Sequence, residues 1–169
     1  MRDWTVGGGI VLDGDAVLLV QNQRRNGALD WSPPGGVIEV HDGESLVDGL
    51  TREVEEETGL RVTAWDGPLY EVRAEAPALG WRLRAEVHLA IAYEGELRID
   101  DPDGIVVDAT WVELAAAHDR LAACHPLVRE PLAEWLVERW AVAAAVDEVR
   151  RYGYRVDGAD LATLTVSRL

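Results

Sequence analysis

The segment from Ser45 to Gly59 constrains the fold of this chain more tightly than any other part of the sequence. Ser45 is a typical helix N-cap with Asp48 three residues on, and Gly59 is a typical C-terminal stop. The sequence therefore predicts a helix over residues 46–58. The apolar residues at helical spacing, which we expect to face the core, are Val47, Leu50 and Val54.

Patterns typical of β-strands flank this helix. Residues 5–12 and 16–21 are β-prone and are separated by an Asp-Gly-Asp turn, which predicts a hairpin. Apolar and polar residues alternate over 81–93, which predicts a strand with one buried face. The other expected elements are a loop over 22–42, strands over 61–74 (broken at 66–68) and 105–112, an acidic turn over 100–104, helices over 114–123 and 131–151, and a tail over 152–169 with weak alternation from Leu161.

Length and composition limit the class of protein. A chain of 169 residues and 18.6 kDa, 48% hydrophobic and 28% charged, predicts a single domain over 1–169, with the helix over 131–151 packed on its core. The longest stretch without a charged residue, residues 4–12, is too short to span a membrane. Cys124 is the single cysteine, and the first residues do not resemble a secretory signal, so we expect a cytoplasmic protein.

The net charge of −15 excludes a general binder of duplex nucleic acid, which needs basic patches to neutralise phosphates. The acidic residues are concentrated, with eight of them and one arginine between Glu39 and Leu60. Such a cluster still accepts a small phosphorylated substrate when divalent cations neutralise it.

Three carboxylates of the predicted helix share one face. Glu56 and Glu57 follow Glu53 by three and four positions, whereas Glu55 points the other way. Like charges at this spacing repel each other, and Mg²⁺, which prefers oxygen ligands and substrate phosphates, would offset that repulsion. The alternative interpretation is an ordinary solvated acidic helix face.

The order of residues around this helix resembles the Nudix box of the Nudix hydrolases. That motif has glycine, five residues, glutamate, seven residues, and then Arg-Glu-aliphatic-any-Glu-Glu-any-Gly-aliphatic. The positions that fall in register are Glu44, Arg52, Glu53, Val54, Glu56, Glu57, Gly59 and Leu60. Seven residues rather than five separate Gly36 from Glu44, which indicates a two-residue expansion around His41-Asp42. The likeness extends to residues 31–36 and to Trp111-Val112, and covers about residues 4–114.

The resemblance implies a fold, a reaction and roles for the residues. The fold is an α/β/α sandwich with a mixed β-sheet, the box helix on one side and the C-terminal helix on the other. The reaction is metal-dependent hydrolysis of the pyrophosphate of a nucleoside diphosphate derivative, with Mg²⁺ or Mn²⁺ as cofactor. The implied roles are catalysis for Arg52, Glu53 and Glu56, metal binding for Glu53, Glu56, Glu57 and the Gly36 carbonyl, and support for Glu44.

Other residues are candidates for supporting roles. Arg24 and Arg25 follow a strand and could grip a substrate phosphate, since guanidinium matches phosphate geometry. The base that takes the proton of the attacking water is left open between the box glutamates and five other acids, Glu86, Glu94, Glu96, Asp101 and Asp103. His88 is expected to be a packed strand residue, and Cys124 a small buried hydrophobe.

Two rival functions remain at this level. A Nudix-fold sensor would bind a nucleotide derivative without cleaving it, although such modules usually lose box glutamates. An isomerase would need a catalytic cysteine in the strand and loop region, whereas Cys124 lies late in the chain. Pro77 is a hint of an ADP-ribose type of substrate by resemblance. A homodimer is a further possibility, with Trp135 and Trp140 serving either a core or an interface.

Overall fold

The computed structural model describes residues 1–158 and 163–169. The β-strands in this part of the chain are β1 (Arg2–Ile10), β2 (Leu12–Asp13), β3 (Ala16–Gln23), β4 (Leu29–Ser32), β5 (Gly35–Val37), β6 (Arg61–Ala76), β7 (Trp81–Glu94), β8 (Val106–Glu113), β9 (Arg150–Asp157) and β10 (Thr165–Arg168). The α-helices are α1 (Leu46–Thr58), α2 (Leu114–Arg120) and α3 (Pro126–Glu138).

The strands form two sheets. The larger has the order β10-β9-β6-β7-β1-β5 and is mixed, because β1 runs parallel to β7 and β6 runs parallel to β9, whereas the other pairs are antiparallel. In the smaller sheet β3 pairs antiparallel with β2, β4 and β8. The predicted strands over 61–74, 81–93 and 105–112 are therefore confirmed as β6, β7 and β8.

Helices cover both faces of the larger sheet. Gly7 of β1 faces α1, since a Cβ there would lie 3.2 Å from Leu50. Ile10 lies three positions further along the strand, on the opposite face, and joins a buried cluster with Leu132 and Trp135 of α3. The expected α/β fold with a mixed sheet between helices is confirmed. Within the described residues, no helix is both long and apolar enough to cross a bilayer.

The predicted helix over 46–58 is confirmed at both ends. The Ser45 side chain accepts a hydrogen bond from the backbone N–H of Asp48 at 3.1 Å, and Gly59 takes a left-handed conformation with φ of 80°. Leu50 and Val54 are fully buried, as expected. The prediction for Val47 is wrong, because this residue lies one turn before the contact with β1 and is 40% exposed.

The predicted hairpin over 5–21 is correct only at its turn. Leu12 pairs with Val17 across the turn, but β1 ends at Ile10 and pairs instead with β5 and β7. The loop expected over 22–42 likewise contains two strands, β4 and β5. Strand β4 pairs with the preceding strand β3 across residues 24–28, whereas the glycine-rich β5 is defined by its pairing with β1, which is distant in sequence.

The predicted helix over 131–151 is wrong in its bounds. Helix α3 begins at Pro126, which takes the first-turn position expected of Pro131, and ends at Glu138. Arg139 is left-handed, with φ of 53°, and its N–H bonds to the Trp135 carbonyl. Beyond that point Trp140 and Val142 pack against the core, whereas Val146 lies in a 3₁₀ turn and is 78% exposed, so the apolar spacing did not reflect a helix.

The tail contributes two strands to the larger sheet. Tyr152, Tyr154 and Val156 of β9 are buried, and β9 pairs with β6. The weak alternation expected from Leu161 matches β10 over Thr165–Arg168, while the first two positions of that pattern lie outside the described residues. The buried face predicted for β7 holds at Ala85 and Val87 but not at Ile91, which is 61% exposed.

Candidate active site

The glycine pair of β5 lies directly against two glutamates of α1. The Gly35 N–H donates a hydrogen bond to Oε2 of Glu57 at 2.9 Å. A Cβ on Gly36 would lie 2.3 Å from Oε2 of Glu53, so only glycine permits this close approach. Strand β5 is held there by its pairing with β1, in which Gly36 faces Gly7.

Arg52 joins three glutamates of the motif. Its guanidinium binds both carboxylate oxygens of Glu44, through Nε at 2.8 Å and Nη2 at 3.1 Å. Nη1 donates to Glu53 at 2.7 Å and to Glu56 at 3.3 Å. This arginine therefore offsets repulsion between Glu53 and Glu56 and ties both to the support residue Glu44.

The two-residue expansion of the motif is accommodated in a short turn. Residues Val40–Asp42 form a single 3₁₀ turn, and Gly43 follows in a left-handed conformation with φ of 84°. Glu39 and Glu44 close the turn, because the Glu39 N–H bonds to the Glu44 carboxylate at 2.8 Å and the Glu44 N–H bonds to the Glu39 carbonyl at 3.3 Å. The extra residues thus leave Glu44 within reach of Arg52.

Burial sets the proton affinities of the carboxylates. Burial raises the pKa of Glu57 to about 8, and the negative charges of Glu53 and Asp101 also raise it. The hydrogen bond from the Gly35 N–H has the opposite effect and lowers this pKa. Burial also raises the pKa of Glu53, although the hydrogen bond and the positive charge of Arg52 lower it. In contrast, hydrogen bonds from Arg52 and from the Glu39 N–H hold the pKa of Glu44 below its usual range. Among the described residues, no cationic side chain contacts Glu57, so the charged form of this carboxyl lacks a counter-ion within the protein.

The donor chemistry fits a hard divalent cation. Glu53, Glu56 and Glu57 offer only oxygen donors, and a cation beside Glu57 would neutralise its buried charge. Among residues 1–158 and 163–169, however, no three acidic, histidine or cysteine side chains converge as a set that could hold a metal ion. Binding a metal would therefore require the carboxylates of Glu53, Glu56 and Glu57 to come closer together than they lie here.

A cleft of about 490 Å³ opens at the carboxylates. Glu53 and Glu57 line it together with the Gly35-Gly36 pair and the loop acids Asp101 and Asp103. The apolar part of its lining comes from β6, β7 and the start of α3. Charged and apolar surfaces thus meet within a single cleft, as suits a substrate with a phosphorylated part and an uncharged part.

The predicted supporting residues are distributed unevenly around the cleft. Arg24 lines the cleft, but its Nε and Nη2 donate to the two oxygens of Asp30 at 2.6 and 2.8 Å. Fewer of its N–H groups are therefore available to bind a phosphate. Arg25 is exposed and does not line the cleft. Glu56 borders a neighbouring groove together with Arg98.

The alternative bases separate by position. Asp101 and Asp103 line the cleft, whereas Glu94 pairs with Arg61 at the surface and Glu96 is exposed outside the cleft. Glu86 lies between two strand residues that line the cleft, so its side chain points to the other face of the sheet, where it pairs with His88 at 3.1 Å. The geometry therefore gives Glu86 no access to a substrate in the cleft.

Sequence reasoning missed several residues of the cleft. Asn22 and Tyr70 both line it and are 5% and 2% exposed, respectively. Cys124 is buried, as predicted, but also borders the cleft. No sequence signal singled out Asn22, which lies between Gln21 and Gln23 at the start of the expected loop, and Tyr70 follows a strand pattern that indicates only burial.

Comparison with known proteins places this fold and site in a class. The family described as the NUDIX domain matches residues 1–136. The chain therefore belongs to the Nudix hydrolase family, and the enzyme is a Nudix-type pyrophosphohydrolase. Its predicted family and its predicted enzyme class are both confirmed.

Solved structures share this architecture. The MutT NUDIX hydrolase from Burkholderia pseudomallei is 28% identical, over 68% of this chain and 86% of that chain, with a TM-score of 0.58. The ORF135 protein from E. coli is 20% identical, over 82% of this chain and 94% of that chain, with a TM-score of 0.66. The MutT protein from Bacillus halodurans is 22% identical, over 98% and 97%, with a TM-score of 0.61. The last two likenesses show the fold alone.

The raised pKa of Glu57 predicts how stability depends on pH in metal-free buffer. Unfolding returns the carboxyl from a pKa of about 8 to the model-peptide value of 4.5, so between these pH values the folded chain holds a proton that the unfolded chain releases. The free energy of unfolding should therefore fall as pH rises through this window. Urea unfolding of the wild type and of Glu57→Gln in chelator checks this, and a variant with the same pH slope as the wild type would contradict it.

Proposed function

We propose that this enzyme hydrolyses the pyrophosphate bond of a nucleoside diphosphate derivative, such as ADP-ribose or a nucleotide, in a reaction that requires Mg²⁺ or Mn²⁺. The observation that carries the proposal is the meeting of Glu53, Glu57 and the Gly35-Gly36 pair at one cleft with an apolar wall. The metal would be held by Glu53, Glu56, Glu57 and the Gly36 carbonyl. Bound there, it would lower the pKa of a water molecule and neutralise charge on the phosphate oxygens.

The residues of the chain would share the remaining work. Arg52 fixes the carboxylates of Glu44, Glu53 and Glu56 relative to one another. Glu53 uses one oxygen on Arg52 and has Oε2 beside Gly36 in the cleft, so we propose it as the acceptor of the proton from the attacking water. Attack of that water on phosphorus breaks the bridging P–O bond and releases a nucleoside monophosphate and a second phosphorylated fragment.

The proposal extends to the setting of the enzyme. We propose that residues 1–169 form one domain, that the protein is cytoplasmic, and that its partner is a small molecule rather than duplex nucleic acid or a membrane. A homodimer is also proposed. Trp135 and Trp140 belong to the core of the chain itself, since the indole N–H of Trp135 bonds to the Trp140 carbonyl and that of Trp140 to the Leu69 carbonyl.

The proposed reaction predicts a specific product pattern. Incubation of the protein and Mg²⁺ with nucleoside diphosphate derivatives, including ADP-ribose, should give a nucleoside monophosphate, and in ¹⁸O-labelled water one product should carry a single labelled oxygen on phosphorus. Mass spectrometry reads both results. A chelator should stop the reaction, because the carboxylates would then have no cation to act through. Binding across the panel without cleavage in Mg²⁺ or Mn²⁺ would instead favour the ligand-binding sensor.

A further inference from the structure

Two polar atoms at the cleft lack a partner in the protein. Neither Oδ1 of Asn22 nor the hydroxyl of Tyr70 forms a hydrogen bond with any described residue, although both residues line the cleft and are more than nine-tenths buried. Among the described residues, every enclosed side-chain nitrogen or oxygen atom has a partner. Each of these two atoms therefore keeps some accessible surface, and both residues line the cleft.

The amide of Asn22 is fixed in one orientation. Its Nδ2 donates to Oδ1 of Asp30 at 3.0 Å and to Oγ of Ser32 at 2.9 Å. Asp30 is itself held as a charged acceptor by the paired hydrogen bonds from Arg24. Because a carboxylate accepts but does not donate, the amide nitrogen must face Asp30, and the oxygen is the atom presented to the cleft.

Tyr70 is held by its ring and not by its hydroxyl. The ring packs edge-on against Trp140 and Tyr152, with centroids 6.2 and 5.7 Å apart. The two neighbouring buried tyrosines differ in this respect, since the hydroxyl of Tyr152 bonds to Glu134 at 2.8 Å and that of Tyr154 bonds to Glu130 at 3.0 Å. The Tyr70 hydroxyl is thus a positioned polar group without a structural use.

The chemistry around these atoms suits a heteroaromatic ring. Apolar residues line the cleft beside them, among them Val72, Ala85 and Leu127, and favour a flat apolar surface. A fixed carbonyl acceptor repels a phosphate and accepts a hydrogen bond from an N–H group. The Tyr70 hydroxyl in the same cleft can serve a ring nitrogen or a further amine.

We infer that Oδ1 of Asn22 and the hydroxyl of Tyr70 determine specificity by binding a nucleobase that carries an exocyclic amine. The inference rests on the proposed function only in expecting a nucleotide in this cleft. Replacing the amine by a carbonyl would set two acceptors against each other and leave the Asn22 oxygen unpaired.

Equilibrium binding tests this without turnover. Isothermal titration calorimetry with Mg²⁺ compares AMP with IMP, and CMP with UMP, since each pair differs by an amine replaced with a carbonyl. In at least one pair the amine form should bind about tenfold more tightly or better. Equal affinities within both pairs, or no measurable binding of AMP and CMP, would overturn the inference. Because these probes have no pyrophosphate, the outcome is independent of whether the enzyme cleaves one.

Matched variants assign the effect to the two atoms. Asn22→Ala should bring the affinity ratio of the discriminating pair close to one, and Tyr70→Phe should weaken binding of the amine form several-fold while the melting temperature holds or rises, because an unpartnered hydroxyl is removed. Tyr154→Phe, which removes a hydroxyl bonded outside the cleft, should leave affinity unchanged. An unchanged ratio in Asn22→Ala together with unchanged affinity in Tyr70→Phe would also overturn the inference. If Asn22→Ala does not fold, Tyr70→Phe alone decides.

Discussion

Glu57→Gln and Glu56→Gln are each expected to lower kcat by about a hundredfold or more at saturating Mg²⁺. Each substitution removes one negatively charged oxygen donor from the helix face that we propose holds the metal. Glu57 should show the effect most clearly, because its carboxylate lies in the cleft and, among the described residues, accepts a hydrogen bond only from the Gly35 N–H. Initial rates on whichever substrate the panel identifies give the measurement.

Glu55→Gln is the matched control for this prediction. Glu55 belongs to the same helix and carries the same charge, but it is exposed and lies outside the cleft. Glu55 borders the same groove as Glu56, but its substitution should leave kcat within about twofold of the wild type, since an exposed charge outside the cleft is screened by solvent. Wild-type turnover in Glu57→Gln, or an equal loss in Glu55→Gln, would remove the metal-ligand assignment and leave a solvated acidic helix face as the better interpretation.

The second large effect concerns the two adjacent glycines, whose added methyl groups should have different consequences. A Cβ on Gly35 would lie 2.1 Å from the carbonyl oxygen of Gly7, and Gly35 has φ of 147°. Since backbone cannot move aside cheaply, Gly35→Ala should destabilise the fold by about 3 kcal/mol or more. A Cβ on Gly36 would meet only the end of the Glu53 side chain, at 2.3 Å. Gly36→Ala should therefore displace that carboxylate and reduce kcat at least about tenfold, with a smaller loss of stability.

Urea unfolding and initial rates of the two variants separate these effects. Gly153→Ala provides the control, because a Cβ there would make only ordinary contact, at 3.4 Å from Leu169. Full activity in Gly36→Ala would show that the position of the Glu53 carboxylate does not matter for turnover. Equal stability of Gly35→Ala and Gly153→Ala would show that β5 can shift away from β1.

Local chemistry explains why the box helix was predictable. Its cap at Ser45, its stop at Gly59 and the shared face of its glutamates depend on residues within one helix of each other. The motif therefore specified the family and the enzyme class before any tertiary contact was known. The ion pairs of Arg52 could be predicted only in part from local spacing, because Glu44 reaches Arg52 across the expanded turn.

The sequence by itself determined the box helix and the strands β6 to β8, because each follows from local patterns, and its resemblance to the Nudix box indicated the class of chemistry. Only the tertiary structure decided that β1 leaves its apparent hairpin partner, that β4 and β5 form within a glycine-rich and proline-rich stretch, and that α3 ends before Arg139. It also decided which polar atoms face the cleft, turning Glu86 away and leaving Asn22 and Tyr70 with unpaired atoms. The physical reason is that strand pairing and burial are set by contacts between residues far apart in the chain, which no local pattern encodes.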